Sequence, residues 1–311
     1  MISVALCTYN GERYIREQLK SILNQTVKVD EIVVCDDGST DNTLQIIEGL
    51  ACTTDTAIHI HRNETNLGPA KNFQKAINLC SGDIIFLSDQ DDVWVPEKVA
   101  TITNYFKQNP HISVVFTDGN LMADNTLIGS LWQCFGITSK SIKAIDNGFG
   151  IELFACESRA TGATMAVRNT FEPIHTLNHY QPSHFLHDEI LSMLALYHNQ
   201  LGYCPEKLIN YRIHPNQECG LGERLINPAS DDIRETSNLA LLWSRLALPN
   251  TLQERITFIA TRDRRKHQPF GPIRMIGNLK IYRMLYHSQW CSFLLFDIRK
   301  WSSVMLHRII K

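Results

Sequence analysis

Strand-length apolar runs and helix-spaced apolar positions take turns along the first third of the chain. Residues 2–7 read as a strand and Thr8-Tyr9-Asn10-Gly11 as a turn. After Glu12, Tyr14, Ile15, Gln18, Leu19, Ile22 and Leu23 recur at helical spacing. A second strand, 31–35, runs into Asp36-Asp37-Gly38-Ser39-Thr40-Asp41. Asp41 suits the N-cap of a helix carrying Leu44, Ile46, Ile47 and Leu50. Residues 57–61 form a third strand, and Asn66-Leu67-Gly68-Pro69 is a turn whose proline sits at the first helical position. The helix from Ala70 carries Phe73, Ala76, Ile77 and Leu79, and the strand 83–88 follows. Uninterrupted apolar strands are those buried on both faces of a parallel sheet. Their alternation with helices predicts an α/β fold with a doubly wound, mostly parallel sheet.

Beyond Asp92 the pattern loosens. A helix is expected at 96–106, strands at 112–117 and 163–167, a helix at 186–198 and a strand at 207–213, with mixed signals across 118–182. Residues 219–232 read as a loop, and the rest as helices at 233–246, 251–266 and after Arg274.

Parallel strands share a direction, so their βα corners fall on one sheet edge, where ligands of open α/β sheets bind. Tyr9, Asp37 and Asp91 are therefore expected to line one crevice. The corner after residues 84–87 is the most informative, since the strand stops in Asp89, Asp91 and Asp92. Carboxylates this close repel one another unless a cation or donors neutralise them. Oxygen ligands suit Mg²⁺ or Mn²⁺, which bridge carboxylates to substrate phosphates. The bland alternative is an acidic turn capping the helix after Pro96. No Gly-x-Gly-x-x-Gly and no Gly-x-x-x-x-Gly-Lys-Ser/Thr occurs, so the usual dinucleotide and ATP cradles are absent.

Five segments in order carry a resemblance: Cys7-Thr8-Tyr9-Asn10, Asp36 to Asp41, Asp89-Gln90-Asp91-Asp92-Val93-Trp94, Thr161-Gly162-Ala163-Thr164-Met165 and His187-Asp188-Glu189. Together they resemble family-2 glycosyltransferases of the GT-A fold. Tyr211-Arg212-Ile213-His214-Pro215-Asn216 resembles the segment closing the catalytic domain in one bacterial branch. Ser88 to Trp94 is similar to the rhamnosyltransferase-like branch that builds bacterial surface polysaccharides, O-antigen or capsule. The resemblance covers residues 1–220, with a nucleotide-binding half to about 118 and an acceptor-binding half after it.

The resemblance implies an inverting, metal-dependent transfer of one sugar from a dTDP- or UDP-sugar to a glycan acceptor on a polyprenyl-diphosphate carrier. The first donor expected is dTDP-L-rhamnose, then a UDP-hexose. Cys7 and Tyr9 would meet the nucleotide, and Asp37 would accept from the pyrimidine N3–H; Asp36 and Asp37 would otherwise only shape the Gly38 turn. Asp91 is the expected direct metal ligand, Asp89 a contact to ribose or metal-bound water, and Asp92 a helix cap or an orienter of Asp91. Lys71 would meet a phosphate or stay solvated. Gly162 and Ala163 would leave room for the sugar or merely begin a strand. His214 would reach the metal or serve as a loop residue, and Arg212 would offset phosphate charge. Asp188 is the candidate general base, with Glu189 as substitute and a pure capping role as the alternative. The family's usual acidic residue before the base is His187 here.

Composition then narrows the setting. Nine scattered cysteines without a Cys-x-x-Cys pair argue for reduced thiols in the cytosol and against a zinc ribbon or disulfide framework. Residues 262–311 hold eleven Lys/Arg against Asp263 and Asp297, a balance of +9, so the remainder carries −11 to reach the overall −2. With Trp290, Phe293, Phe296 and Trp301, this tail, part of a helical extension over 221–311, suits an anionic bilayer surface at the inner face of the plasma membrane. The alternatives are packing on the catalytic domain or on a second subunit of a homodimer. An acidic body without a recognition motif argues against nucleic acid. No apolar stretch is of bilayer-spanning length, and the Gln-x-x-Arg-Trp pattern of membrane-embedded processive synthases is missing. Two rival readings remain. A sugar-nucleotide pyrophosphorylase would need a Gly-rich basic loop where Thr8 to Glu12 stand, and a non-catalytic nucleotide-sugar-binding assembly partner would have no use for Asp91 and Asp188.

Overall fold

The computed structural model describes residues 1–135, 160–180 and 186–214, with 137, 142 and 217. The chain divides into two compact units, Met1–Leu246 and Ala247–Lys311. The expected boundary at 220, the loop at 219–232 and the helical extension lie outside the described residues.

The apolar runs become β1 (Ile2–Thr8), β2 (Glu31–Asp36), β3 (Ala57–Arg62) and β4 (Ile84–Ser88). The first, second and fourth are buried almost without interruption, while β3, at the sheet edge, is partly exposed throughout. All four pair in parallel, in the order β3-β2-β1-β4, with Cys7 opposite Cys35 and Thr8 opposite Asp36. The crossovers carry α1 (Ile15–Leu23), α2 (Thr43–Ala51) and α3 (Pro69–Leu79). Each turns an apolar stripe to the sheet: Ile15, Leu19 and Ile22 on α1, Phe73, Ala76 and Ile77 on α3. Burial of such a stripe is what stabilises helices this short. Pro69 occupies the first position of α3 as expected, and Gly68 before it takes φ +79°, open to glycine at no steric cost.

The second half is mixed. From β4 the sheet continues through β8 (Met165–Arg168), β6 (Val114–Ala123), β9 (Leu201–Arg212) and β5 (Val93–Trp94). β8 runs antiparallel to β4 and β6, β5 antiparallel to β9, and β6 parallel to β9. The parallel arrangement thus belongs to the first half. β7 (Thr126–Ser130) folds back on β6 through Asp124 and Asn125, both at positive φ, as a two-residue hairpin turn requires. Helices α4 (Lys98–Gln108), α5 (Leu131–Cys134) and α6 (His187–Tyr197) and a 3₁₀ helix at Glu172–Tyr180 flank these strands in sequence.

Two strands exceed their expected lengths by four residues or more. β6 continues six residues past 117 because Asp118-Gly119-Asn120, a turn by composition, stays in the ladder. The buried Asp118 carboxylate accepts from Gly119 N, Ser130 Oγ and Trp132 N there. β9 begins at Leu201 rather than 207: Pro205 lies where the β6–β9 register shifts, between the pairs Thr117–Cys204 and Asp118–Lys207, and so costs no ladder hydrogen bond. The strand expected at 163–167 begins only at Met165, after a 3₁₀ turn at Gly162–Thr164.

Candidate active site

The βα corners after β1, β2 and β4 are stitched together by side chains. Gln90 donates from Nε2 to Tyr9 O (2.9 Å) and accepts from Tyr9 N (2.8 Å), an amide pairing between the first and fourth corners. Gly11 lies beneath it, where a Cβ would meet Gln90 Oε1. Asn10 N donates to Ser39 Oγ, Thr40 N to Asn10 Oδ1, and Asn42 N to Glu12 Oε2. These corners therefore form one connected edge, with the Tyr9 ring exposed on it. The buried Cys7 thiol is pushed up by burial first, then by Cys35, Asp89 and Asp37, which places it between the second and fourth corners.

Asp36 and Asp37 have separate tasks. Asp36 accepts from Thr8 Oγ1, Gly38 N and Ser39 N, so it shapes the Gly38 turn. Asp37 Oδ1 accepts from Asn63 Nδ2 (2.7 Å) and Leu67 N (2.8 Å), and its Oδ2 from Gly68 N (2.9 Å). A carboxylate has about four acceptor positions, so one on Oδ2 remains for a ligand. Asn63 and Asn72, which complete this network, carried no signal in the sequence.

The fourth corner gathers the acids. Asp91 Oδ2 lies 2.8 Å from His214 Nε2, and the Tyr14 ring lies 4.6 Å from the imidazole. Asp92 does not cap α4, contrary to one expectation: its Oδ1 accepts from Arg212 N (2.9 Å), and no side-chain cap is made at the start of α4. Arg212 Nε donates to Asp91 O, Nη1 to Asn125 Oδ1, and Nη2 to Glu17 Oε2. Its guanidinium also lies 4.8 Å from the Tyr14 ring. Arg212 thus fastens the Asp91–Asp92 corner to β9, α1 and the β6–β7 hairpin.

Asp89 is pushed up to about 8 by burial, with Asp91 and Asp188 adding to the rise and Lys98 opposing it. Asp92 is raised by burial first, then by Asp91 and Asp89, against the Arg212 N–H and Lys98. The buried Tyr211 hydroxyl feels Asp92, Asp89, Asp91 and Asp188 together. Four carboxylates from two distant stretches therefore share one neighbourhood.

Asp188 comes from the first turn of α6. Its Oδ2 accepts from Gly162 N (3.0 Å) and its Oδ1 from Glu189 N (2.9 Å). Glu189 Oε2 accepts from Leu186 N and so performs the capping. His187 stacks on Phe73, ring centroids 3.9 Å apart, and burial holds it down to about 3, neutral at any ordinary pH. Its ring fills the space beside Gly162, where a Cβ would lie 2.5 Å from Nε2. The room left by Gly162 is thus occupied by His187, and Ala163 is fully buried. Lys71 is exposed on α3, along a groove with Leu67, Gln74 and Leu79.

Among the described residues, no group of three or more His, Cys, Asp or Glu is arranged to hold a metal ion. The donor set nevertheless suits a hard cation: the Asp91 carboxylate with its imidazole partner, beside buried acids that raise one another. Gln90, Lys98, Tyr14 and Glu17 were missed by sequence reasoning. Only Lys98 left a sign, a cation at a helix N-terminus where the dipole disfavours it.

Comparison with known proteins gives this geometry a lineage. Residues 3–155 match the family described as Glycosyl transferase family 2. An uncharacterized glycosyltransferase of Haemophilus influenzae is 29% identical over 219 residues, covering 70% of this chain and 67% of that one. Residues 3–155 thus form a domain of glycosyltransferase family 2. The dTDP-rhamnosyl transferase RfbG of Shigella flexneri is 37% identical over 126 residues, 39% of this chain and 41% of that protein. The match to RfbG thus spans less than half of that protein. The fold is of the GT-A type. The crystal structure of S. aureus TarS 1-349 in complex with UDP-GlcNAc aligns with a TM-score of 0.59 at 19% identity, over 86% of this chain and 73% of that one. Among the described residues no helix is long and apolar enough to cross a membrane.

Proposed function

We propose that this family-2 glycosyltransferase moves a sugar from a dTDP- or UDP-sugar, dTDP-L-rhamnose first, to a glycan acceptor on a polyprenyl-diphosphate carrier in bacterial surface polysaccharide synthesis. The observation that carries the reading is the meeting of two carboxylate groups: Asp91 with His214 on the donor side, and Asp188 from α6, both acting on Asp89. The match to RfbG, whose name specifies a dTDP-rhamnosyl transfer, favours the donor.

Tyr9 and Cys7 face the nucleotide, and Asp37 offers its remaining acceptor position to the pyrimidine N3–H. Asp91 and His214 would hold Mg²⁺ or Mn²⁺, with Asp89 beside them. The bound ion would act as a Lewis acid on the departing diphosphate. Asp188 takes the proton from the acceptor hydroxyl as that oxygen bonds to the anomeric carbon. The bond from the anomeric carbon to the diphosphate oxygen breaks with its electron pair leaving on the diphosphate. Attack opposite the leaving group inverts the centre. Two anchored hydrogen bonds hold the Asp188 carboxylate in place, so little reorganisation accompanies proton transfer. Arg212 acts by holding Asp91 and Asp92, and the basic tail supplies contact with the membrane surface that carries the acceptor.

The test is calorimetric titration with dTDP, UDP, GDP and ADP, with and without Mn²⁺. Metal-dependent binding confined to dTDP or UDP is expected. Preference for GDP or ADP would remove the pyrimidine reading of Asp37.

A further inference from the structure

Lys98 is fully buried at the first position of α4, where desolvation and the helix dipole both oppose a cation. Something must offset that cost. Its Nζ donates to Ala163 O at 2.7 Å and lies 4.1 Å from the centroid of the Trp94 ring. Its charge acts on Asp89 and Asp92, lowering both against the rise that burial imposes, although burial holds Lys98 itself down to about 7. Ala163 belongs to the short 3₁₀ turn Gly162–Thr164, and the preceding residue of that turn gives its N–H to Asp188 Oδ2.

We propose that Lys98 is a positioning residue for glycosyl transfer: its ammonium ties the donor-side acid stretch to the turn that anchors Asp188. The link runs from Trp94, two residues past Asp92, through the ammonium to Ala163 O, and from Gly162 N to the carboxylate. Donor and acceptor machinery come from different halves of the sheet, and this link fixes their mutual placement. A lysine serving only to fill space would be a poor choice. Methionine has similar length and no charge to desolvate, and exchanging a whole buried charge cluster for apolar groups is often neutral or stabilising. Retaining an ammonium here makes sense if the bond to Ala163 O has a use in the reaction.

The inference rests on Asp188 being the base, and the experiment separates the two. The full chain carrying Lys98→Met is compared with wild type in thermal melting, nucleotide titration, transfer from the donor sugar that supports wild-type turnover, and crystal structure. Melting is expected at a lower temperature because Asp89 and Asp92 lose a buried counter-charge, donor KM and nucleotide affinity to stay within about threefold, and kcat to fall about 10²-fold, the scale of a small misplacement of a catalytic group. The crystal structure should show the Gly162–Thr164 turn displaced and the bond from Gly162 N to Asp188 lost. Wild-type kcat overturns the proposal, and so does a fall in kcat with that bond intact. Should Lys98→Met fail to fold, Lys98→Arg against Lys98→Gln asks the same question; equal impairment overturns it. If Asp188→Asn retains full transfer, the base assignment falls. If Asp188→Asn is inactive and Lys98→Met is not impaired, only the present inference falls.

Discussion

Asp91 Oδ2 and His214 Nε2 meet at 2.8 Å across 123 residues of sequence. The pair joins the end of the fourth βα corner to the residue two past β9. If both serve one cation, their losses should not add. Asp91→Ala, His214→Ala and the double variant should each lower Mn²⁺-dependent dTDP or UDP affinity, the double by less than the sum of the two free-energy changes. Calorimetry with and without Mn²⁺ reads this. Strict additivity would mean that the two act at separate places.

Asp188→Asn keeps size and the acceptor oxygen for Gly162 N while removing the proposed base. Nucleotide affinity should be retained and transfer should fall by about 10²–10⁴-fold, the usual contribution of a positioned proton acceptor. Single-turnover transfer is the measurement, and a wild-type rate would reduce Asp188 to a member of the α6 start.

Gly162 owes its identity to a neighbour, not to its own backbone angles. Gly162→Ala puts a methyl 2.5 Å from His187 Nε2 and should destabilise by about 1–3 kcal/mol as the ring is forced off Phe73. In a His187→Ala background the same substitution should cost much less. Urea denaturation of the four chains gives the cycle, and equal costs in both backgrounds would contradict the contact.

His187 also sets a pH dependence. Its folded pKa, about 3, lies below the ordinary imidazole value of 6.5, because burial refuses the charge. Between those values the unfolded chain takes up a proton that the folded chain does not. The stability this group contributes is therefore whole above about pH 6.5 and is lost as pH falls toward 3. His187→Gln should flatten the decline in urea midpoint between pH 6.5 and 4. Parallel curves for variant and wild type would mean that the imidazole is hydrated.

The first half of the fold was legible because period and punctuation agreed there. Buried strands read as apolar runs, Pro69 marked a helix start, and acids collected at strand ends. Past Asp92 the signals contradicted one another. Asp118-Gly119-Asn120 has turn composition inside a strand, and Pro205 sits within β9 at a register shift. Window-based reading shortens both strands for that reason. At the site, the resemblance pointed to Asp91, Asp188 and His214, which the fold brings into one neighbourhood. What holds them was not legible: Gln90, Lys98, Tyr14 and Glu17 act through pairings with residues up to 195 positions away, which no local spacing encodes.

Arg212 and His214 close the fourth corner from 121 and 123 residues downstream, and the consequence lies in the order of synthesis. As the chain leaves the ribosome, β1 to β4 can pair with one another while Asp91 and Asp92 still lack both partners. A chain stopped anywhere before β9 ends would present the nucleotide edge without the clasp that Arg212 provides. Prematurely terminated products would thus hold an unfinished site, and activity would arrive only once β9 has formed.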